Sequence, residues 1–268
     1  MIPQPETMAG ILAEVAATEI MPRFRNLAAA DIREKSAGDL VTIADIESEK
    51  RLEAALGELI SDCQIVGEEA VANTPEVLTR LAGDAPVWVI DPVDGTTNFA
   101  TGKPCFAIIV ALVVGGETIA GWIYDPINQT MVWAEQGGGA WENGQQLRIS
   151  KDTPLAECAG SLGRGPKRRL ERLHNEENRA VPTDIKRYGC VGMEYVDLAR
   201  GRLGFARYGG HLKPWDHAAG VLIHAEAGGF SAVGDATPYH PKPDTPHQTL
   251  TLAPSLEAWR ELTEMLAE

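Results

Sequence analysis

The chain reads as an α+β or α/β protein of stacked helical and sheet layers. Three observations carry that expectation. Apolar residues recur at helical spacing in the opening sixty positions: Ile11, Leu12, Val15 and Ile20, then Ile46, Leu52, Leu56 and Leu59. Three apolar runs follow at 105–114, 117–124 and 129–135, separated by Gly115-Gly116 and Asp125-Pro126, and these read as consecutive antiparallel strands. After Ser150 the composition shifts, and shorter strands alternate with helices. We divide the chain into an N-terminal half, 1–150, and a C-terminal half, 151–268, forming one compact unit.

Taken in order, 6–24 is an amphipathic helix that stops or kinks at Pro22. Residues 26–40 are a loop with Lys35-Ser36-Ala37-Gly38-Asp39 at its tip. Residues 42–60 are helical, with Asp45, Glu49 and Glu53 on one stripe. A short strand at 64–66 ends in Gly67-Glu68-Glu69, and a weak helix spans 74–82. Val87 to Ile90 is a buried strand running into Asp91, where Pro92 is expected to end the ladder because it has no N–H. Gly137-Gly138-Gly139 and Asn143-Gly144 are turns. In the second half, 155–162, 185–187, 205–208 and 249–253 are strands. Gly189 to Gly192 leads into a helix ending near Arg200, and Gly209-Gly210 approaches another. Pro214 and Asp216 mark a helix start, Gly228-Gly229 its end, and Ser255 caps a last helix to Met265. The basic run Arg164, Lys167, Arg168, Arg169 and Arg172 reads first as a solvated helix face, and second as a contact for an extra phosphate or a neighbouring subunit.

Composition narrows the function. Lys plus Arg is 24 against 38 Asp plus Glu, a formal charge of −14, which disfavours nucleic acid and anionic membranes as partners. The four cysteines, at 63, 105, 158 and 190, form no C-x-x-C pair and suit free thiols in a reducing cytoplasm. No basic and apolar leader opens the sequence, and the apolar run at 105–114 is too short to span a bilayer as a helix.

The chemistry concentrates in Asp91-Pro92-Val93-Asp94-Gly95-Thr96-Thr97-Asn98-Phe99. Two carboxylates three residues apart repel unless a cation lies between them or one is protonated. Mg²⁺ takes oxygen ligands and shares them with substrate phosphate. The N–H groups and hydroxyls of Gly95, Thr96 and Thr97 suit an anion. The segment therefore offers a metal seat beside a phosphate seat, although an acidic turn is the plainer reading of the motif alone. Glu68 after one strand, Asp216 at a helix start and Asp45 on an early helix are further acids of the same type.

Gly67-Glu68-Glu69, then Asp91 to Phe99, then Pro214-Trp215-Asp216-His217-Ala218-Ala219-Gly220 with a downstream Glu226-Ala227-Gly228-Gly229, resemble the inositol monophosphatase family in order and spacing. The resemblance covers about residues 35–230. It implies an α-β-α-β-α layered sandwich, usually a homodimer, and lithium-sensitive, Mg²⁺-dependent hydrolysis of a small phosphorylated metabolite. It implies two or three Mg²⁺ ions held by Glu68, Asp91, Asp94, the carbonyl of Val93 and Asp216. Phosphate would sit on the N–H groups of Gly95 and Thr96, and Asp45 and Thr96 would hold the attacking water, with Glu68 also placed in the catalytic set. Asp94, Gly189, Val191 and Asp216 would line the substrate side. Lys35 and Asp39 lie where the family carries a mobile loop. His217 receives no role, and Trp88 and Trp215 are taken as packing.

One departure bears on the substrate. Inositol monophosphatases carry a Glu about seven residues before the Asp of the Trp-Asp pair, whereas this chain has Tyr208-Gly209. Arg207 and Lys213 upstream of Asp216 resemble the bisphosphate-nucleotidase branch and could meet a second phosphate. Inositol or sugar phosphates rank first as substrates, then 3′(2′),5′-bisphosphate nucleotides and histidinol phosphate. A catalytically silent regulatory protein is the alternative of a different class; it would be favoured by a missing metal ligand, and none is missing.

Overall fold

The computed structural model describes residues 2–36, 38–234, 236–243 and 248–267. Helix α1 (Pro5–Val15) has Pro at its start and runs into a π-helical turn, Ala16–Ile20. Strands β1 (Ile32–Ser36) and β2 (Asp39–Thr42) form an antiparallel hairpin where the sequence predicted a loop. Ala37, at the predicted tip, lies outside the described residues. Helix α2 (Ile43–Gly57) opens on a capping box: the Thr42 hydroxyl accepts from the N–H of Ala44, and the Asp45 carboxylate accepts from the N–H of Thr42.

The first half continues with β3 (Gln64–Gly67), α3 (Glu68–Asn73), a 3₁₀ segment (Pro75–Ala82), β4 (Val87–Asp94) and α4 (Thr96–Ala100). Then come β5 (Ala107–Val114), β6 (Glu117–Asp125), β7 (Thr130–Glu135), β8 (Gly139–Glu142) and β9 (Gln145–Leu147). Strands β3 to β9 make a seven-stranded sheet in sequence order, antiparallel except for the parallel β3–β4 pair. The strands β8 and β9 were not predicted, because Gly and Asn dominate the local signal there.

The second half holds β10 (Gly160–Leu162), α5 (Arg164–Asn175), β11 (Ile185–Lys186), α6 (Val191–Ala199), β12 (Phe205–Gly210), α7 (Pro214–Glu226), β13 (Phe230–Val233), β14 (Gln248–Ala253) and α8 (Leu256–Met265). The strand expected at 155–162 is a 3₁₀ turn (Leu155–Glu157) followed by the shorter β10. The second sheet has the order β11-β10-β12-β14-β13. Strands β10, β11 and β12 run parallel, so this sheet is mixed rather than purely antiparallel.

Alternating side chains explain the stacking. On one face of the large sheet Trp88, Ile90, Ile108, Val110 and Trp122 pack with Met8, Leu12, Leu52 and Leu56 of α1 and α2. On the other face Val89, Ile109, Ala111 and Ile123 pack with Tyr195, Leu198, Ala219 and Ile223 of α6 and α7, which also cover Ala206, Leu250 and Leu252 of the small sheet. The outer face of the small sheet, at Leu162 and Phe205, is covered by Leu170, Leu173, Leu262 and Met265 of α5 and α8. The layers are therefore α-β-α-β-α.

Strand β4 departs from the prediction in a way that matters. It does not stop at Pro92 but runs to Asp94 through a bulge: Asp91 pairs with Ile109 and Asp94 with Ala107, so Pro92 and Val93 together oppose Ile108. A bulge is where a strand tolerates proline, since the ladder is already interrupted there. Directly paired residues share a face, and Ile109 and Ala107 both face α6 and α7. Asp91 and Asp94 therefore point the same way, although residues three apart in a regular strand would point oppositely.

Helix α7 reaches the large sheet at one close crossing. A Cβ on Gly121 of β6 would stand 2.7 Å from the Cα of Ala219. Gly121→Val should therefore push α7 off the sheet and cost about 1–3 kcal/mol. Urea unfolding should show a lowered midpoint with an unchanged slope; an unaltered midpoint would mean that the crossing carries no such constraint.

Candidate active site

The bulge gives the site two of its acids. Strand β3 supplies a third: its last registered residue, Gly67, pairs with Ile90, so Glu68 follows beside Asp91 at the head of α3. Asp45 comes from the first turn of α2 and Asp216 from the first turn of α7. The Asp91 carboxyl is pushed well above the usual range, first by burial and then by the charges of Glu68, Asp94, Asp216 and Asp45. Asp216 is likewise raised, by burial and by Asp94 and Glu68, against the opposing pull of Lys213 and Lys35. Acids from both halves of the chain thus share one electrostatic neighbourhood.

Each acid is also held by donors. Asp45 Oδ2 accepts from the N–H of Thr42 at 2.8 Å, and its Oδ1 accepts from the Thr96 hydroxyl at 3.0 Å; burial raises this carboxyl to about 6. The Thr96 hydroxyl lies equally near the Val93 carbonyl, at 3.1 Å. Asp91 Oδ1 accepts from the N–H of Val93 at 3.1 Å. Asp94 faces the start of α6. Its Oδ1 accepts from the N–H of Val191 (3.1 Å), and its Oδ2 from the N–H of Gly192 (2.6 Å) and the thiol of Cys190 (2.9 Å). Burial lifts Asp94 to about 6 against those bonds.

Gly95 links β4 to α4 with φ +87°, and a Cβ there would meet Cys190 Cβ at 3.0 Å and the Cys105 carbonyl at 3.1 Å. Only glycine fits both the left-handed backbone and that approach. Asn98 fastens the same corner, its amide lying 2.9 Å from the Cys105 carbonyl, 2.8 Å from that of Tyr188 and 3.2 Å from that of Gly189. Gly189, predicted on the substrate side, thus turns its carbonyl toward Asn98. Val191, predicted there too, gives its N–H to Asp94.

Four groups were missed or underweighted in the sequence. Lys35, on β1, places its ammonium 2.6 Å from Glu68 Oε1 and 3.0 Å from Glu69 Oε1, so the hairpin is tied to the acids. Asp39 Oδ1 lies 4.0 Å from the same ammonium. Glu49, one turn beyond Asp45 on the stripe the sequence showed, accepts from the N–H groups of Glu69 (2.8 Å) and Ala70 (2.7 Å) at the start of α3. Burial holds both Glu49 and Glu69 near 7. Glu194 of α6 is buried, accepts from the N–H of Tyr188 at 3.0 Å, and adds its charge to the surroundings of Asp94. Its only sequence signal was a place in the first turn of a helix. An acid thus does stand near Asp94, from α6 rather than from the segment before Asp216.

His217, to which no role was given, is buried, bonds the Tyr195 hydroxyl at 3.0 Å, and is driven down to about 3 by burial, so it stays neutral. Trp88 packs on Trp122 with ring centroids 5.8 Å apart. Trp215 is buried, with the Lys213 ammonium 5.4 Å from its ring centroid.

Among the described residues, no three of these side chains are arranged to hold an ion as they stand. Lys35 bonds Glu68 Oε1, and the start of α6 donates to both oxygens of Asp94. The donor set nonetheless fits a hard divalent cation, being all oxygen and carrying buried, mutually repelling charge.

The comparisons with known proteins settle the family. The family model described as "Inositol monophosphatase family" matches residues 6–268. The chain belongs to the inositol monophosphatase family. Members named inositol-1-monophosphatase and fructose-1,6-bisphosphatase/inositol-1-monophosphatase are among its relatives. The first, from Mesorhizobium japonicum, is 36% identical over 73% of this chain and 73% of its own length. The second, from Thermotoga maritima, is 33% identical over 74% of this chain and 73% of its own. The solved structure of Thermotoga maritima IMPase superposes with a TM-score of 0.76 at 26% identity, covering 98% of each chain. Inositol monophosphatase II from Staphylococcus aureus shares the fold, with a TM-score of 0.78 at 22% identity over 97% of this chain and 92% of that one. The chain is thus placed among phosphatases. No helix among its described residues is long and apolar enough to cross a membrane.

The raised carboxyls set a pH dependence. Asp45 and Asp94 near 6, and Glu49 and Glu69 near 7, hold their protons more tightly folded than at their ordinary 3.8 to 4.5. Their contribution to stability is complete below the unfolded values and is lost as pH rises through the folded ones. In EDTA the thermal midpoint followed by circular dichroism should fall between about pH 5 and about pH 7.5. A midpoint that climbs over that interval would contradict the burial of these acids.

Proposed function

We propose that the chain is a Mg²⁺-dependent phosphomonoesterase acting on a small phosphorylated metabolite, with an inositol or sugar phosphate as substrate. One observation carries the reading: Asp91 is buried among Glu68, Asp94, Asp216 and Asp45, an arrangement whose charge calls for cations. The residues that would hold two or three Mg²⁺ ions are Glu68, Asp91, Asp94, Asp216 and the carbonyl of Val93. Bound there, Mg²⁺ would neutralise phosphate charge and acidify a nearby water. Glu68 keeps Oε2 clear of the Lys35 ammonium, which bonds Oε1, and Asp94 Oδ1 accepts from the N–H of Val191 alone, so each carboxylate retains lone pairs for a cation.

The remaining steps fall to the chain itself. Thr96 and Asp45, bonded to each other at 3.0 Å, would orient the attacking water. Asp45, whose Oδ1 already accepts from the Thr96 hydroxyl, would take that water's proton as a general base. The N–H groups of Gly95 and Thr96 would receive phosphate oxygens as its charge builds. Glu194, beside Asp94, is the acid we assign to the alcohol side, in place of the one absent before Asp216. Residues 1–150 and 151–268 act as one catalytic unit in this reading, since Asp94 of the first half bonds Cys190, Val191 and Gly192 of the second. We further propose a cytoplasmic homodimer, in keeping with the family resemblance. The sugar-phosphate reading draws support from the Thermotoga maritima relative named fructose-1,6-bisphosphatase/inositol-1-monophosphatase.

Asp91→Asn should lower kcat for phosphate release by on the order of a thousandfold, and Thr96→Ala by about a hundredfold, with both variants folded by circular dichroism. EDTA should abolish turnover of the wild type and added Mg²⁺ should restore it. Undiminished phosphate release in EDTA would end the metal reading. A panel of phosphorylated metabolites assayed in parallel identifies the alcohol.

A further inference from the structure

On the outer face of the small sheet lies a cavity of about 890 Å³ lined by arginines from two elements: Arg164, Arg168, Arg169 and Arg172 of α5, and Arg207 of β12. Such a volume is of the size that takes a small molecule. Arg164, Arg168 and Arg172 stand at i, i+4 and i+8, along one stripe of α5, where like charges repel. None of the three forms an ion pair with any described residue; the salt bridge on this helix is Lys167 to Glu171, at 3.9 Å. Arg164 and Arg168 also sit toward the positive end of the helix dipole, which has no acid in its first turn.

Two of the arginines are fixed in place. Arg169 Nε donates to the Met265 carbonyl at 3.4 Å, and Arg207 Nη1 donates to that of Leu266 at 3.2 Å, at the end of α8. A solvated helix face would account for α5 alone. It does not account for a strand arginine converging on the same hollow, in a chain whose formal charge is −14. Along β12 the side chains alternate: Arg207 faces the cavity, while the neighbouring Ala206 faces the layer of α6 and α7. The cavity and the carboxylate cluster therefore lie on opposite faces of this strand.

We propose that this cavity is a second anion site, binding a phosphate-bearing small molecule through the guanidinium groups of Arg164, Arg168 and Arg172. Guanidinium forks match phosphate oxygens in paired, charge-assisted bonds. The acidic net charge disfavours nucleic acid, and a hollow of this size lined by guanidinium groups suits a small polyanion. The phosphate has two sources: a separate effector, or a second phosphate on a substrate reaching round the strand ends. The inference does not rest on the phosphatase reading, because its primary test measures binding without turnover.

The test is titration calorimetry of pyrophosphate into the full chain in EDTA. We expect saturable binding that weakens as salt is raised, and a Kd at least tenfold higher in the Arg168→Gln/Arg172→Gln variant. Arg164→Gln alone should weaken binding in the same direction. Lys50→Gln, on α2 in the layer at the opposite side of the molecule, should leave it unchanged. Absence of binding to the wild type at about 10 mM pyrophosphate, or equal binding by wild type and both arginine variants, overturns the proposal. Steady-state kinetics then separate the sources. A KM raised in the double variant for a bisphosphate but not a monophosphate marks a substrate subsite. Unchanged KM for both, with pyrophosphate binding lost, marks an effector site.

Discussion

Mutual repulsion among buried carboxylates is the constraint around which this molecule is built. Asp91 is 2% exposed, Asp45 1% and Asp94 7%, and each raises or is raised by acids beside it. No packing of side chains would gather such groups for stability alone, because burying unpaired charge is costly. The chain meets the cost locally with bonds from backbone N–H groups, from Thr42, Thr96 and Cys190, and from the Lys35 ammonium. What remains uncompensated is the part a cation would neutralise.

The fold serves that concentration of charge. The seven-stranded sheet carries Glu68, Asp91 and Asp94 at adjoining strand ends, and α2 and α7 bring Asp45 and Asp216 from its two sides. The close passage of Gly121 against Ala219 sets α7 on the sheet, and so sets where its first turn lies. Gly95, pressed against Cys190 and the Cys105 carbonyl, joins the acidic corner of one half to the start of α6 in the other. Stability and chemistry therefore share the same contacts: a side chain at either glycine would disturb packing and displace an acid together.

Much of this was legible in the chain. The Pro214 start and the Ser255 cap gave α7 and α8 nearly to the residue, because caps are local properties. Helix periods gave α1 and α2 but overran their ends, since α1 stops at Val15 before a π-helical turn and α2 stops at Gly57. The strands β8, β9 and β13 were not predicted, since each is short and leans on neighbours rather than on its own propensity. The hairpin of β1 and β2 was read as loop for a related reason: its polar residues conceal a strand, and Lys35 is there for Glu68 and Glu69. Glu49 and Glu194 carried no signal above that of an ordinary helix carboxylate. Their roles depend on which N–H groups lie opposite them.

By itself the sequence determined the kinds of chemistry available: oxygen donors of hard character at Glu68, Asp91, Asp94 and Asp216, a glycine before Thr96, and an acidic chain ill suited to nucleic acid or anionic membranes. Residue type and short-range spacing carry that information, and both are properties of the string. Only the tertiary structure decided that Asp91 and Asp94 share a face, because the bulge at Pro92 and Val93 exists in the pairing of β4 with β5 and nowhere in β4 alone. It also decided that Arg207 joins the arginines of α5, thirty-five or more residues away in the chain, since strand alternation and layer order, not proximity in sequence, set which side chains meet.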